Sequence, residues 1–564
     1  MSVSQRPLGF YAKFIFAAIV LNYVIVVSKY HWVQRTKGRE QLPPAYPAFI
    51  PWIGNLIPLI WDNEQFFKRV TSYQGCPTAA RVGIMGHDIH LFQDPASIRK
   101  MWRTPSLSSP IKISTYTFKY FFGVPEKTLK VYRSDNSGPY RKPYQGSSVP
   151  ENKRVDYLGH HEFLRALSGP GLAPTFQRFK RRLETMLSET DVSEAWTGHD
   201  DFKAFFQDSV GPALIESVYG PALLRLSPTF VADLYAFDDN VPWLARGIPS
   251  FLMPRPYRLR ERLAGHMRRW HEYARQNFNE SSIYEDGDGD PFWGSAFIRN
   301  RHTMFANIGD HDENAVAALD IGLAFGLVSN VSPAALLTAW HIFKDASLLR
   351  RIRSEIAAHL GTTPLRDADP KILQAAPLLQ SVYAEALRLY TNIYVMVSSP
   401  QGDVPLERWR LPKDSIALLN SSVSHRDAHF WNTRDGKHPI DSFWADRFVT
   451  DPRDASSGPI NPALRPHGSG AGGAAAPSRG KGNGGGAPFF STDGLEAAWF
   501  PYGGGYSICP GRHLAKNIIM FISAILVTEF DVEFLVDELV LDKWRFGLGI
   551  AGPTNKIPFR IRRR

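Results

Sequence analysis

The segment FPYGGGYSICPGRHLAK, residues 500–516, constrains the fold most, because it sets a lone cysteine behind a glycine-rich loop and in front of a helical pattern. Apolar residues recur at helical spacing after Cys509, and Pro510 suits a first helical turn. The sequence therefore predicts that Cys509 lies at a helix N-terminus, where free N–H groups and the helix dipole favour the thiolate. A thiolate is a strong ligand for soft or borderline metal ions.

The glycines beside this cysteine indicate what kind of metal group fits. Gly503, Gly504, Gly505 and Gly511 carry no Cβ, so the backbone can approach a bulky, flat group. The other cysteine, Cys76, stands without a ligand pattern and is expected to be a small packed thiol. One thiolate, one metal and a flat partner favour haem with a cysteine axial ligand. A catalytic cysteine nucleophile and a buried structural thiol are the alternatives that the residues leave open.

The N-terminal stretch LGFYAKFIFAAIVLNYVIVV, residues 8–27, is apolar apart from Lys13 and Asn22. A helix of this length spans about 30 Å, the thickness of the hydrocarbon core of a bilayer. Basic residues follow it, and the positive-inside rule places such a flank, with the body of the chain, in the cytosol. We predict a membrane anchor at 1–28 and a basic, proline-stiffened hinge at 29–59; a cleaved signal peptide is the alternative.

The body of the chain, residues 60–564, alternates long helical patterns with short strand-like runs. This predicts a mainly α fold with small β-sheets in one domain. The clearest helical patterns are 173–188, 313–343 and 371–390. Residues 454–488 are rich in Gly, Ala, Pro and Ser and cannot bury enough apolar surface to order themselves, so they predict a disordered insertion loop.

The formal net charge of +11 bounds the kinds of partner. Nucleic acid is disfavoured, because no cluster of Lys and Arg with interleaved aromatic residues occurs. An anionic membrane surface and an acidic protein partner fit the charge better. Two cysteines in 564 residues exclude a disulfide framework and indicate a reducing compartment.

The cysteine loop resembles that of the cytochrome P-450 superfamily. That family has an aromatic residue seven positions before the cysteine, a glycine four before and a glycine two after, and Tyr502, Gly505 and Gly511 stand there. Tyr502 departs from the usual Phe, and Ser507 stands where many members carry an arginine for a haem propionate. The pattern GGGxxxCPGR is similar to those of sterol 7- and 12-hydroxylases and of prostacyclin synthase.

Further motifs of the family occur in the family's order. Glu385 and Arg388 match its Glu-x-x-Arg, whose members share one helix face, and Arg447 in FWADRF matches the arginine that completes a structural charge cluster. His161 and Arg165 have the spacing of the family's Trp-x-x-x-Arg, with His161 in place of Trp. The resemblance implies that both reach a haem propionate; a solvated helix face is the alternative.

The pattern at 313–343 is similar to the family's central helix, which crosses the haem face. Ser329 and Asn330 stand where most members carry an acid and a threonine that deliver protons to dioxygen, so they are the candidate catalytic residues. Pro333 leaves the Ser329 carbonyl without a donor and predicts a kink, while Gly326 permits close approach. Asn330 could relay protons through ordered water, the enzyme could rearrange a hydroperoxide or endoperoxide instead, or Asn330 could merely bond the broken backbone.

The resemblance implies the P-450 fold and heme b held through the Cys509 thiolate, with Tyr502, Gly503, Gly505 and Gly511 around it. It implies monooxygenase chemistry on a lipophilic sterol, terpenoid, polyketide or other secondary metabolite. The implied partners are NADPH-cytochrome P-450 reductase and cytochrome b5, and the implied location is the endoplasmic reticulum membrane with a cytosolic catalytic domain. Two alternatives stay open: a hydroperoxide or endoperoxide isomerase or dehydratase of this fold, and a non-catalytic, membrane-tethered haem-fold binding protein.

Overall fold

The computed structural model describes residues 8–36, 38–48, 50, 52–108, 111–465 and 486–564, and it is mainly α-helical with small β-sheets, as the sequence predicts. The α-helices of these residues are, in chain order, α1 (Leu8–Arg35), α2 (Leu56–Trp61), α3 (Asn63–Val70), α4 (Pro95–Trp102), α5 (Ile111–Thr117), α6 (Glu126–Ser134), α7 (Val155–Leu167), α8 (Leu172–Glu189), α9 (Phe202–Tyr219), α10 (Pro221–Leu226), α11 (Phe230–Asp238), α12 (Val241–Ala245), α13 (Pro254–Asn277), α14 (Ala296–Ile308), α15 (Glu313–Val328), α16 (Val331–Lys344), α17 (Ala346–Leu360), α18 (Pro370–Gln374), α19 (Pro377–Tyr390), α20 (Ser421–His425) and α21 (Arg512–Glu529).

The strands are short. In chain order they are β1 (Ser72–Tyr73), β2 (Cys76–Pro77), β3 (Ala79–Ile84), β4 (His87–Phe92), β5 (Thr197–His199), β6 (Gly289–Asp290), β7 (Gly294–Ser295), β8 (Thr391–Ser398), β9 (Val404–Leu406), β10 (Trp409–Leu411), β11 (Ile416–Asn420), β12 (Val449–Thr450), β13 (Phe489–Phe490), β14 (Phe530–Phe534), β15 (Leu548–Ile550) and β16 (Phe559–Arg563).

The chain divides into two compact units. The first comprises Met1–Pro110, Ile393–His425 and Gly494–Ile508, and the second comprises Ile111–Asn392, Arg426–Asp493 and Cys509–Arg564. Residues 60–564, which the sequence predicts to be one catalytic domain, are thus shared between the two units.

The first unit is built on a sheet in which β3, β4, β11 and β8 lie side by side. β3 and β4 form an antiparallel hairpin, β11 runs parallel to β4, and β8 runs antiparallel to β11. Phe92, Met101 and Trp409 belong to the buried cluster that forms the core of this unit. Cys76 lies in β2 and is exposed, so the expectation of a packed thiol is wrong.

The segment 29–59 differs from the hinge that its prolines predict. Helix α1 continues to Arg35, and the chain after it is hydrogen-bonded within the first unit. The Tyr46 N–H donates to the Arg81 carbonyl at 2.7 Å, and Gly54 forms an antiparallel bridge with Ile84. Between α1 and α2 the prolines favour extended backbone, and such backbone can still pair with the edge of a strand.

The second unit is a helical assembly around α15 and α16, in which most side chains are buried. The pattern at 313–343 predicts one continuous helix, yet it is divided at Ser329 and Asn330, and 371–390 is divided into α18 and α19. In both cases a proline, Pro333 or Pro377, stands in the first turn of the later helix, the position where a missing N–H costs least. The pattern at 173–188 corresponds to α8 within one residue at each end.

The insertion predicted at 454–488 begins with folded residues, which corrects its boundary. The Asn432 amide donates to the Ser456 carbonyl at 2.7 Å and to the Gly458 carbonyl at 2.8 Å, and Ser457 is buried. These partners give the segment order that its own composition does not. The most Gly- and Ala-rich part, residues 466–485, lies outside the described residues.

Candidate functional site

Cys509 lies just before α21, in the second unit. The helix begins at Arg512 with Gly511 as its N-cap. The sequence predicts Pro510 in the first helical turn, but Pro510 stands in the turn that precedes the helix. The Arg512 guanidinium donates to the Cys509 carbonyl at 3.0 Å, and the Ser168 hydroxyl donates to the Pro510 carbonyl at 2.6 Å. The cysteine turn is therefore fixed both to its own helix and to the end of α7.

The protonation of Cys509 is set by opposing effects. The residue has an exposed surface, yet enough protein surrounds its sulfur to desolvate it. This desolvation raises the pKa of the thiol and outweighs the backbone N–H groups of Gly511 and Arg512 and the Arg512 charge, which lower it. The helix N-terminus alone therefore does not hold a thiolate. Coordination to a metal ion would, because a coordinating thiol is deprotonated outright.

Helix α7, which meets the cysteine turn through Ser168, presents an exposed face of mixed character. His161, Leu164 and Arg165 share this face and are all exposed. The His161 Nδ1 and the Arg165 Nη1 each lie 3.9 Å from the Glu162 carboxylate, so neither group makes a close contact with it. A thiol, an apolar side chain, a guanidinium and an imidazole are the set of groups that suits haem, whose macrocycle is apolar and whose propionates are anionic.

The glycine-rich loop belongs to the first unit, where its flat neighbour is a tryptophan. A Cβ on Gly504 would lie 2.4 Å from Cε2 of the Trp102 indole, and Gly505 adopts a φ of 59° against the same residue. The Trp102 Nε1–H donates to the Glu496 carbonyl at 2.8 Å. At Gly504 packing of the Trp102 indole therefore requires a residue without a Cβ.

The remaining loop residues predicted to bind the cofactor are placed as follows. Tyr502 is half-buried, Gly503 has a φ of 74° and pairs with Pro501, and the neighbouring Phe500 N–H donates to the buried His425 imidazole at 3.1 Å. These bonds hold the loop to α20 in the first unit.

A fully buried charge cluster brings Glu385, Arg388 and Arg447 together. The Arg388 guanidinium donates to both carboxylate oxygens of Glu385, at 2.6 and 2.8 Å, and the Arg447 Nε donates to them at 3.0 and 3.1 Å. The backbone N–H of Trp444 also donates to Glu385. The two arginines also donate to backbone carbonyls, among them that of Ile440 at 2.9 Å. The cluster therefore ties α19 to the chain segment around Ile440.

Ser329 and Asn330 occupy the division between α15 and α16. The Asn330 Oδ1 accepts the backbone N–H of Ile550 at 3.0 Å, and a Cβ on Gly549 would lie only 2.3 Å from the same oxygen. Asn330 is thus bonded to β15. The Ser329 hydroxyl is buried and has no hydrogen-bond partner among the described residues.

Gly326 lies one turn before this division and is exposed. A Cβ built on it would meet no atom within 4 Å, so the described residues leave open space on that side of α15. The rings of Phe122, Phe237 and Phe325 pack against one another nearby, with centroids 5.8 to 6.4 Å apart. An apolar surface next to an accessible glycine suits a flat or lipophilic group.

Comparison with known proteins gives the family, although no family model matches the chain. The cytochrome P450 monooxygenase efuG of Hormonema carpetanum is 29% identical over 581 residues, which cover 100% of this chain and 98% of that protein. The cytochrome P450 monooxygenase fsoE of Humicola fuscoatra is 28% identical over 93% of this chain and 88% of its own length. Cytochrome P450 7B1 of Mus musculus is 22% identical over 100% of this chain and 97% of its own.

The chain belongs to the cytochrome P450 superfamily. As a P450 it is an oxidoreductase of the monooxygenase class, with a haem held by a cysteine thiolate. The family also implies a reductase as redox partner and a lipophilic substrate. The likeness to P450 7B1 agrees with the resemblance of the cysteine loop to those of sterol hydroxylases.

Sequence reasoning missed several polar residues that this P450 gathers in space. Asp238 and Arg545 form a buried ion pair across 307 positions, and Asp320 accepts hydrogen bonds from His271 and His302. Neither group has a local spacing signal, because its members come from separate helices or loops. Trp102 also carried no signal, since a tryptophan at the end of a helix is an ordinary core residue.

Proposed function

We propose that this P450 is a membrane-anchored monooxygenase that inserts one oxygen atom from dioxygen into a sterol or terpenoid. The observation that carries the proposal is Cys509, an exposed thiol in a turn fixed to α7 and α21, in a chain matched end to end by P450 monooxygenases. When bound, haem supplies the iron centre at which dioxygen is activated with electrons from the reductase. The cofactor that we propose is heme b with Cys509 as axial ligand.

His161 and Arg165 are the residues that we propose for the haem propionates. Both are exposed on the face of α7 that ends at the cysteine turn. A guanidinium binds a carboxylate through two parallel hydrogen bonds, and a protonated imidazole adds a third donor. Their role is to orient the cofactor, not to react.

Glu385, Arg388 and Arg447 have a structural role in this proposal. A carboxylate shared between two guanidiniums has a fixed geometry, and the backbone carbonyls that the arginines reach are held with it. Tyr502, Gly503, Gly505 and Gly511 shape the loop and turn on either side of Cys509. None of these groups takes part in the chemistry.

The substrate class rests on two observations. The cluster of Phe122, Phe237 and Phe325 lies beside the open space at Gly326, which suits an apolar, rigid molecule. A relative named 25-hydroxycholesterol 7-alpha-hydroxylase, of Rattus norvegicus, is 23% identical over 61% of this chain and 75% of its own length. A polyketide is the next candidate. We also propose a role in secondary metabolism, which the fungal monooxygenases among the relatives support.

Asn330 acts in this proposal as a positioning residue. Its carbonyl oxygen accepts the Ile550 N–H and its amide N–H₂ donates, but a neutral amide neither gains nor loses a proton near neutral pH, so it does not relay one itself. The relay therefore needs another group. An isomerase, which needs no such relay, is the outcome that would replace the monooxygenase.

The location that we propose is the endoplasmic reticulum membrane, with the catalytic part in the cytosol. The candidate span Lys13–Arg35 is almost wholly exposed, whereas the other apolar stretch, Glu313–Lys344, is mostly buried in protein. NADPH-cytochrome P450 reductase is the proposed electron donor and cytochrome b5 a second one. The basic net charge favours docking of acidic partners.

The test begins with the spectrum of the purified, reduced, CO-bound protein. A Soret band at the position typical of thiolate ligation is expected, and it should disappear in Cys509→Ser but persist in Cys76→Ser, whose thiol is exposed and outside the site. With reductase and NADPH, mass spectrometry of a sterol and terpenoid panel should then show products heavier by one oxygen atom. Conversion of a hydroperoxide without reductase, with no oxygenated product, would replace the monooxygenase by the isomerase.

A further inference from the structure

A polar cavity lies in the second unit beside the division between α15 and α16. Its volume is about 60 Å³, and its lining includes Tyr235, Asp238, Ser329, Ser332 and Arg545. A cavity that holds one water needs roughly 10–15 Å³ of such volume, so there is room for several. The lining comes from α9, α11, α16 and the loops around β15, and it includes Lys203 and Thr554 at its outer side.

Several polar groups in the lining have no protein partner. The Ser329 hydroxyl and the Nε and Nη2 of Arg545 are buried and make no hydrogen bond to any residue that the structure describes. Buried polar groups are nearly always hydrogen-bonded, to protein or to water. Water in the cavity is therefore the partner that these groups require.

Asp238 is the acid of this cavity. Its carboxylate lies 2.9 Å from the Arg545 Nη1, and both side chains are almost fully buried. Burial raises the pKa of Asp238 to about 6, and the Arg545 charge offsets only part of that effect. The other charged groups around it are Asp239, Lys203 and Asp542. Asp238 can thus both hold and release a proton near neutral pH.

We propose that Asp238, the water in this cavity and the Ser329 hydroxyl form the proton supply of the oxygen reaction. This inference rests on the proposed monooxygenase function and deepens it. Each turnover consumes two electrons from NADPH and two protons, breaks the O–O bond, and forms the oxygenated product and one water. Ser329 and Asn330 stand where the resemblance implies an acid and a threonine, and the Asn330 amide does not exchange a proton near neutral pH.

The relay works by exchange of protons at oxygen atoms. In this proposal the Ser329 hydroxyl donates its proton to dioxygen as it is reduced and takes one from a cavity water, and that water takes its proton from the protonated Asp238. Asp238 then regains its proton from solvent at the side of the cavity where Lys203 and Thr554 lie. Ser329 is suited to this step because its hydroxyl is not engaged by protein, and a hydroxyl both donates and accepts.

The experiment uses the full-length haem protein with reductase and NADPH. Without added substrate no oxygenated product forms, so dioxygen is reduced either to hydrogen peroxide, with two electrons and two protons, or to two waters, with four of each. The assay follows the consumption of dioxygen and this partition from pH 5 to pH 8. The variants are Asp238→Asn, Asp238→Glu, Ser329→Ala and the double variant Asp238→Asn/Ser329→Ala. The matched control is Asp156→Asn, because burial also raises the pKa of Asp156 to about 6, yet Asp156 is not in the cavity.

We expect Asp238→Asn and Ser329→Ala each to reduce the rate of dioxygen reduction to water by about tenfold or more, as for loss of a general acid. The pH dependence near 6 should vanish in Asp238→Asn and return in Asp238→Glu. The double variant should be no slower than either single variant, because both interrupt one path. Variants that stay within twofold of the control, or effects that multiply in the double variant, would overturn the proposal.

A second measurement does not depend on turnover. Infrared difference spectra between pH 5 and pH 7.5 should contain two carboxylic acid bands that titrate near 6, one of which is absent in Asp238→Asn and the other in Asp156→Asn. Persistence of every band in Asp238→Asn would contradict the proposal. The reduced CO spectrum distinguishes failure of the proposed function from failure of the relay. Absence of the Soret band typical of thiolate ligation in the parent protein would refute the proposed function. A normal spectrum, with variants that react like the parent, would refute only the relay.

Discussion

At the scale of single residues, the carboxylate of Glu385 holds two arginine side chains in place. It is fully buried, and it is the acid that faces the two buried guanidiniums of Arg388 and Arg447. The spacing Glu-x-x-Arg is visible in the sequence because both residues lie on one turn of α19. Arg447 is 62 positions away, so only a family pattern, and no local rule, could add it.

We predict that Glu385→Gln lowers the free energy of unfolding by about 3–5 kcal/mol, since it leaves two buried cations without a counter-charge. Guanidinium chloride denaturation and haem content are the measurements. Glu533→Gln is the control: Glu533 also pairs with an arginine, Arg560, but both are half-exposed, so a loss below about 1 kcal/mol is expected. Equal losses of unfolding free energy for the two substitutions would show that burial is not the reason why the Glu385 cluster stabilises the fold.

Asn330 gives a second prediction at this scale, because its bond to Ile550 distinguishes positioning from chemistry. Asn330→Asp keeps an acceptor for the Ile550 N–H, whereas Asn330→Ala leaves that N–H unpaired. We expect the alanine variant to lose about 1–3 kcal/mol of stability and the aspartate variant to lose less. Thermal denaturation measures this, and an alanine variant as stable as the parent would show that the bond does not hold β15.

At the scale of residues, the sequence predicts which side chains are candidates for the site, but not the surroundings that set their properties. The pattern before α21 predicts Cys509 as a ligand, and the free N–H groups of Gly511 and Arg512 that it implies are present. It does not predict that desolvation raises the pKa of the thiol, because burial comes from chain segments far away. For the same reason the indole that fills the space at Gly504 could not be foreseen.

At the scale of secondary-structure elements, the hydrophobic periodicity of 313–343 predicts helix but does not predict where the helix is divided. The apolar pattern at 313–343 predicts helix correctly on both sides of the division, and Pro333 predicts a disturbance. The pattern does not place the division at Ser329 and Asn330, because both halves are apolar all round and either could continue. At the division Asn330 bonds to β15, a strand that lies more than two hundred residues later.

Asp320 joins three of these helices. Its carboxylate accepts the Nε2–H groups of His271 on α13 and His302 on α14, each at 3.0 Å, and faces Arg301 at 3.3 Å. Burial lowers the pKa of His271 below its usual 6.5, so the folded protein keeps this imidazole neutral. The hydrogen bonds from the two histidines and the nearby charges hold the pKa of Asp320 far below its usual range.

The sign of the pH effect follows from these shifts. As pH falls below 6.5, His271 takes up a proton in the unfolded chain before it does in the folded one, so stability falls. Asp320 stabilises the fold above its unfolded pKa of 3.8 and adds nothing to the change above that value. We predict that His271→Gln reduces the loss of stability between pH 6.5 and pH 5, measured by urea unfolding. The exposed His359→Gln should leave the pH profile as it is.

At the scale of the whole molecule, the proposed anchor and the folded body meet inside α1. The first part of the helix exposes apolar side chains such as Phe14 and Leu21, while Tyr30 and Gln34 are buried. The Gln34 amide donates to the Ala79 carbonyl at 2.9 Å, and Arg408 donates to three carbonyls at the end of the helix. Hydropathy alone gives the boundary at residue 28. Only the structure shows that the end of the same helix also packs into the folded body.

This division of α1 predicts different outcomes for two truncations. Removal of residues 1–28 takes away the exposed apolar part, so the protein should leave the membrane fraction on centrifugation and keep its melting temperature. Removal of residues 1–36 also deletes Gln34 and the carbonyls that Arg408 binds, and it should cost about 2 kcal/mol or more, since buried polar groups lose their partners. If both truncated proteins melt alike, the end of α1 is only a tether; if the shorter truncation still sediments fully with membranes, residues 1–28 are not the sole anchor.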